Sequence, residues 1–314
     1  MLPKEFMLHL PKSAITASRL VSVLAAVLLA ACATPAPQGP PTVAPPETPV
    51  VVPKRAPIIG LALGGGAARG FAHVGVIQVL EEAGIHPNLV LGTSAGSLVA
   101  SLYASGNNGI QLQQVAENME EAAITDWTLP FFSRGVLRGE ALARYVNTLV
   151  KGRLIENMPL PLGIVATNLD SGQGVLFRRG DTGTAVRASS SVPGVFQPVK
   201  IGTQEYVDGG LVSPVPVRYA RQMGAELVIA VDISSISEGN KTGDSLQILL
   251  QTFTIMAKSI NNFELREADV VVRPAQAGLN STDFSVRKRA IEAGRAAMLQ
   301  MLPQLRAAIL AKSQ

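Results

Sequence analysis

The sequence predicts an α/β fold with a mainly parallel sheet, and three observations carry that reading. Four runs, Ile58–Leu63, Leu89–Leu91, Leu162–Thr167 and Glu226–Ile233, are almost continuously apolar, as strands buried on both faces must be. Helical patterns separate these runs. The first two each empty into a glycine-bearing turn that opens a helix. Ile58–Ser101 therefore reads strand, loop, helix, strand, turn, helix, a βαβα unit with a parallel pair and a right-handed crossover.

The chain has 314 residues and a formal charge of +4. Lys4, Lys12 and Arg19 against Glu5 supply +2 of this within Met1–Ala31, so the remainder is almost balanced. That is not the footprint of a nucleic-acid binder. Aromatic residues are 4%, so the core must be built mostly from aliphatic side chains. Cys32 is the single cysteine, which excludes an intramolecular disulfide and a cysteine metal cluster. The three histidines, His9, His73 and His86, offer no metal-binding spacing, and no cofactor or metal is expected.

The first 31 residues have the form of a secretory signal. Lys12 and Arg19 precede an apolar run, Leu20–Ala31, too short for a membrane-spanning helix. The run ends Leu29-Ala30-Ala31-Cys32, which resembles a bacterial lipobox whose cysteine is diacylated. Two acyl chains suffice for stable anchoring. Residues 1–31 are thus expected to be a lipoprotein signal peptide, with Met1 or Met7 as the start, and Cys32 the lipidation site. Ala33, where an aspartate would retain the protein at the inner membrane, points to the outer membrane if the source is Gram-negative. Residues 32–57 form a proline-rich tether, since proline this dense favours extended polyproline II over helix or strand. The folded domain is expected over 58–314.

Within it, a helix is expected over Phe71–Ala83, ending at Gly84. Further helices are expected over Gln111–Ala123, Gly139–Lys151, Ala185–Ser191, Pro216–Met223 and Ser245–Asn261, with a terminal helical region, Ser285–Leu310, interrupted near Pro303. Gly174–Arg178 pairs back on Leu162–Thr167, and Val199–Ile201 with Glu205–Val207 forms a second hairpin. Asp269–Arg273 is a last strand. Trp127–Phe132 places three aromatics in a loop, either a small core of its own or the rim of an acyl-chain site.

Asn88–Leu102, NLVLGTSAGSLVASL, holds the strongest chemical signal. Gly92-Thr93-Ser94-Ala95-Gly96 is a G-x-S-x-G turn between a strand and a helix, the setting of a nucleophile elbow. Ser94 would stand clear of the backbone, and Gly92 and Gly96 would let strand and helix approach. The helix start favours a developing negative charge. The upstream loop, Gly64-Gly65-Gly66-Ala67-Ala68-Arg69-Gly70, admits two readings. It could cradle phosphate, although the dinucleotide glycine spacing fails and no Walker lysine follows. It could instead turn the amides of Gly65, Gly66 and Ala67 toward a carbonyl attacked by Ser94, because adjacent parallel strands bring both loops to one sheet edge.

A serine nucleophile needs a base. No histidine follows His86, so the Ser–acid–His order of α/β-hydrolases is excluded. His73 and His86 both precede Ser94 and suit structural or solvated roles. Asp208, in Asp208-Gly209-Gly210 after a strand, is the open carboxylate, and it also suits an ordinary turn aspartate. Asp232, at the end of its strand, is a spare acid better suited to a turn.

Taken together, Gly64–Gly70, Gly92–Gly96, Ala188-Ser189-Ser190-Ser191-Val192-Pro193 and Asp208-Gly209-Gly210, in this order, resemble the four motif blocks of the patatin-like phospholipases. Arg69-Gly70-Phe71-Ala72-His73-Val74-Gly75 is similar to the bacterial and neuropathy-target-esterase-type members. The resemblance covers 58–217 and departs from the family at Ala67, where many members have glycine. It implies a three-layer α/β/α sandwich and a Ser–Asp dyad, with Ser94 as nucleophile, Asp208 as base and the glycine loop as oxyanion hole. It implies fatty-acid release from phospholipid or lysophospholipid, which tethering at Cys32 would place at the bacterial cell envelope. Arg69 could meet a lipid phosphate or brace the loop in an ion pair. A small-ester esterase or thioesterase, and a non-catalytic lipid-binding lipoprotein, are the alternatives.

Overall fold

A computed structural model describes residues 55–127, 134–234, 243–275 and 283–314. The expected signal peptide and tether lie outside the described residues up to 54, as does all but Trp127 of the aromatic loop. The described residues from Arg55 to Gln314 belong to one compact unit. Its fold begins a little before Ile58: Arg55 exchanges backbone hydrogen bonds with Gln314 and pairs with Glu226 at 2.7 Å.

The strands are β1 (Ile59–Leu63), β2 (Leu89–Thr93), β3 (Gly135–Leu137), β4 (Leu162–Asn168), β5 (Gly174–Phe177), β6 (Gly194–Phe196), β7 (Val199–Ile201), β8 (Gln204–Asp208), β9 (Leu227–Val231) and β10 (Val270–Val272). The helices are α1 (Ala72–Glu82), α2 (Ala95–Ala104), α3 (Gly109–Asn118), α4 (Glu140–Leu149), α5 (Thr182–Ser189), α6 (Val217–Gln222), α7 (Ser245–Glu264) and α8 (Arg287–Lys312). β10, β9, β1, β2 and β4 run parallel in that order, and β5, β8 and β7 join antiparallel. β3 and β6 form a separate parallel pair, which their three-residue length hid from periodicity.

β1, β2, β4 and β9 are buried along their whole length, as the continuous apolar runs require. One face packs Leu61, Leu63, Ile164 and Ile229 against α1, α2, α5 and α8. The other packs Ala62, Leu91, Val165 and Val228 against α6 and the turn at Leu265. The three-layer expectation therefore holds.

Several boundaries differ from expectation. Ala67–Phe71 forms a 3-10 turn, so α1 starts one residue late, at Ala72. α3 stops at Asn118, after a start capped by Asn108 and Gln111, and a short 3-10 turn covers Glu121–Ala123. α5 starts at Thr182 because the Asp181 carboxylate accepts from the Thr184 amide. α8 runs unbroken through Pro303. Proline's missing N–H deprives only the Leu299 carbonyl, and Leu299 lies on an exposed turn open to solvent. Met298 and Leu305, fully buried, hold the helix to the body on both sides of the proline.

α1 and α8 meet backbone to backbone. A Cβ on Gly75 would lie 2.0 Å from the Ile291 carbonyl oxygen, and one on Gly294 would lie 2.0 Å from that of Ala72. Neither neighbour can yield, because both are helix backbone. Gly75→Ala should thus destabilise the fold by about 2 kcal/mol in urea unfolding, although alanine favours an isolated helix by about 1 kcal/mol. Unchanged stability would mean that the two helices are less closely seated.

Candidate active site

The placement of the site follows from one strand, β4. Ile164 pairs with Gly92 of β2 and with Phe177 of β5, so β2 and β5 flank β4 on opposite sides. Ala166 pairs with Asp208 of β8 and with Val175 of β5, so β8 also lies opposite β5. β2 and β8 therefore share one side of β4 and run toward each other. They stop at adjacent positions: Thr93 faces Val165, and Asp208 faces Ala166. The residues at this head-to-head junction are Ser94 and Asp208, which lie 114 positions apart in the chain.

Ser94 has φ 54° and ψ −125°, a left-handed backbone that a residue with a Cβ adopts at a cost of about 1–3 kcal/mol. Close packing sustains it. A Cβ on Gly92 would lie 2.2 Å from the Gly96 carbonyl, and one on Gly96 would lie 2.1 Å from that of Leu63. The Ser94 amide donates to Ser189 Oγ at 2.8 Å, and the Ser189 hydroxyl donates to the Val165 carbonyl at 2.5 Å. Ser97 Oγ donates to the Ser94 carbonyl. Ser94 itself is half-buried.

Asp208 is buried and lies within hydrogen-bonding reach of the Ser94 hydroxyl. Its Oδ1 accepts from the Gly210 amide at 2.7 Å. Thr167 Oγ1 donates to the Asp208 carbonyl, and the Asp208 amide donates to that of Ser191. Burial raises the carboxyl from 3.8 to about 6, and the hydrogen bonds from Ser94 and Gly210 oppose that rise. A Cβ on Gly209 would lie 2.2 Å from the Val165 carbonyl oxygen, so only glycine lets β8 turn away here.

The glycine loop lies over the same edge. A Cβ on Gly65 would lie 3.1 Å from Ser94 Cβ and 3.9 Å from its Oγ. Its amide, however, corrects the sequence reading: it donates to the Pro214 carbonyl at 3.0 Å and is not available to an oxyanion. The Gly64 amide is likewise bound to the Val231 carbonyl. The Gly66 and Ala67 amides have no acceptor among the described residues, and both residues reach solvent. Ala67 has φ 50°, the conformation that glycine takes without strain. Gly70 lets the loop close on the elbow, since a Cβ there would meet that of Ala95 at 2.9 Å.

His73 is fully buried, and its Nε2 lies 2.8 Å from the Gly64 carbonyl oxygen. A carbonyl only accepts, so Nε2 carries the proton. Burial depresses the ring to about 4, leaving it neutral. His73 thus steadies the glycine loop rather than serving Ser94. His86 is exposed at the other end of β2. Arg69 is half-buried, and burial lowers its pKa against the attraction of Asp232. Asp232 also accepts from Ser234 and pairs with Arg273 at 3.4 Å. These contacts favour the bracing role for Arg69 and the turn role for Asp232. Ser189 went unassigned in the sequence because nothing local separates it from Ser190 and Ser191; only its seat between β4 and the elbow does. A cavity of about 630 Å³ lined by Leu162, Leu176 and Met223 lies at the start of β4 and shares no residue with this site.

A half-buried serine on a strained turn, a buried carboxylate beside it and two open amides form the constellation of an acyl-transfer hydrolase. The sequence profile described as "Patatin-like phospholipase" matches residues 61–221, which include both Ser94 and Asp208, and the chain belongs to that family. An uncharacterized NTE family protein of Mycobacterium tuberculosis (strain ATCC 25618 / H37Rv) is 36% identical over 182 residues, 58% of this chain and 50% of that one. Patatin-like phospholipase domain-containing protein 6 of Mus musculus is 34% identical over 198 residues, 60% of this chain and 14% of that one. This chain thus spans about half the length of the first, and far less of the second. VipD from Legionella pneumophila shares the fold, with a TM-score of 0.54 at 16% identity over 78% of this chain and 66% of that one.

The raised Asp208 carboxyl has a consequence for stability. A folded-state pKa above the unfolded value favours folding at low pH, and the benefit is lost as pH rises through about 6. Above that pH the buried charge costs about 3 kcal/mol. Asp208→Asn keeps the acceptor for Gly210 and removes the charge. It should raise unfolding stability at pH 8 by about 1–3 kcal/mol, and much less at pH 4.5. Equal effects at the two pH values would mean that burial does not perturb this carboxyl.

Proposed function

We propose that the chain is a serine acyl-ester hydrolase that releases fatty acid from phospholipid or lysophospholipid through a Ser94–Asp208 dyad. The head-to-head end of β2 and β8, which sets the Ser94 hydroxyl against a buried carboxylate, carries this reading. Ser94 Oγ attacks the ester carbonyl carbon as its proton passes to Asp208. The carbonyl oxygen becomes an oxyanion held by the Gly66 and Ala67 amides. Collapse breaks the ester bond, Asp208 returns the proton to the leaving alkoxide, and the acyl group remains on Ser94. Water, deprotonated by Asp208, then attacks the acyl-serine, and the fatty acid leaves as Ser94 regains its proton. A dry setting for the carboxylate raises its basicity toward that needed near neutral pH. The lipobox-like Cys32 and the proline-rich stretch after it support action at a bacterial envelope membrane, the outer one in a Gram-negative source.

Fatty-acid release from phospholipid and lysophospholipid vesicles tests this. Ser94→Ala and Asp208→Asn should each lower kcat by about 1000-fold or more while far-UV circular dichroism is unchanged. Activity surviving in Asp208→Asn would remove the carboxylate from the base role. The wild-type kcat/KM should fall about tenfold per pH unit below about 6, because only ionised Asp208 takes the proton. A profile flat down to pH 4.5 would contradict the assignment.

A further inference from the structure

Packing accounts for α7 less well than for any other long element. From Ser245 to Phe263 its only charged side chain is Lys258. Its inner side half-buries Phe253 and Ile260 and buries Asn261 and Glu264. Its outer side carries Ile248, Leu249, Ile255, Met256 and Phe263, each between 37% and 67% exposed. The spacing 248, 255, 256, 263 keeps these on one stripe. A helix that is apolar on both faces belongs in apolar surroundings, and here water meets half of it.

We propose that the outer face of α7 is a lipid-docking surface that seats the domain on a bilayer beside the active site. The proposal rests on the reading that the substrate is a membrane lipid. Position favours lipid over a second copy of the chain. α7 packs against Gly209–Leu211, the turn that directly follows Asp208. At its end Glu264 accepts from Ser213 Oγ, and the Ser213 carbonyl accepts from Thr93, the residue before the nucleophile. α7 is therefore seated beside the sheet edge that carries Ser94 and Asp208. Charge does not decide the matter: Lys258 and Arg266, whose guanidinium sits 5.3 Å from the centre of the Phe263 ring, are exposed on or beside the helix, as are Asp244 and Glu267, so the apolar stripe and its position carry the choice of a lipid surface. No helix among the described residues is long and apolar enough to cross a membrane, and the seat proposed for α7 is in the plane of the surface.

The test uses the full chain. Cys32→Ser leaves it free of cysteine and of the proposed acylation site. Ile255→Cys then carries one environment-sensitive fluorophore, with Lys200→Cys on the exposed part of β7 as the reference. With vesicles of phosphatidylethanolamine and phosphatidylglycerol, the probe at 255 should shift to the blue and be quenched by nitroxide lipid, while the probe at 200 should do neither. A probe at 255 that stays in water on vesicle-bound protein overturns the proposal. So does a shift that needs no vesicles and grows with protein concentration, which would identify a second copy. Ile248→Asp with Ile255→Asp should cut hydrolysis of vesicle phospholipid by about tenfold or more and leave hydrolysis of a dispersed short-chain ester unchanged. Equal loss on both substrates also overturns it. If the wild type hydrolyses neither, the hydrolase reading falls, and the fluorescence result decides the docking surface alone.

Discussion

The structure depends on the way two strands of opposite direction share one side of β4. β2 supplies the serine and β8 the aspartate, and each stops where the other begins. In a purely parallel sheet both chain ends would leave on the same edge from separate strand positions. Here the antiparallel entry of β8 turns its end toward β2 instead. The Ser94–Asp208 pairing is thus a property of backbone register, fixed by hydrogen bonds along β4 rather than by flexible loops. The adjoining hydrogen bonds serve the same junction: Ser189 binds both the elbow and β4, and Thr167 binds the Asp208 carbonyl.

Such a junction stores strain that the surrounding fold must hold. Ser94 and Ala67 take left-handed backbone angles, and Asp208 holds a carboxylate away from water. Each costs on the order of a kcal/mol or more. The restraint comes from close backbone packing at Gly92, Gly96 and Gly209, where any side chain would collide with a carbonyl, and from the fully buried strands behind them. His73 extends this restraint to the glycine loop through the Gly64 carbonyl. The Gly64 and Gly65 amides are given to the scaffold, whereas those of Gly66 and Ala67 have no acceptor among the described residues.

Much of this was legible in the sequence, for identifiable reasons. The apolar runs marked β1, β2, β4 and β9 because strands covered on both faces tolerate no polar alternation. The elbow was legible because a tight strand-to-helix turn demands glycine at Gly92 and Gly96. The three-residue strands β3 and β6 were not, since three residues carry no period. Pro303 suggested a break that tertiary packing of Met298 and Leu305 overrode. Gly65 was expected to present its amide, but the Pro214 carbonyl that takes it lies 149 positions away, beyond the reach of local pattern.

The sequence by itself determined the fold class, the order of the elements and the residue types able to do acyl chemistry, because periodicity and glycine placement are local consequences of backbone sterics. Tertiary structure alone decided that the Gly65 amide is taken by the scaffold, that Ser189 ties the elbow to β4, and how far burial shifts Asp208. Those properties depend on register, long-range hydrogen bonds and exclusion of water, none of which neighbouring residues encode.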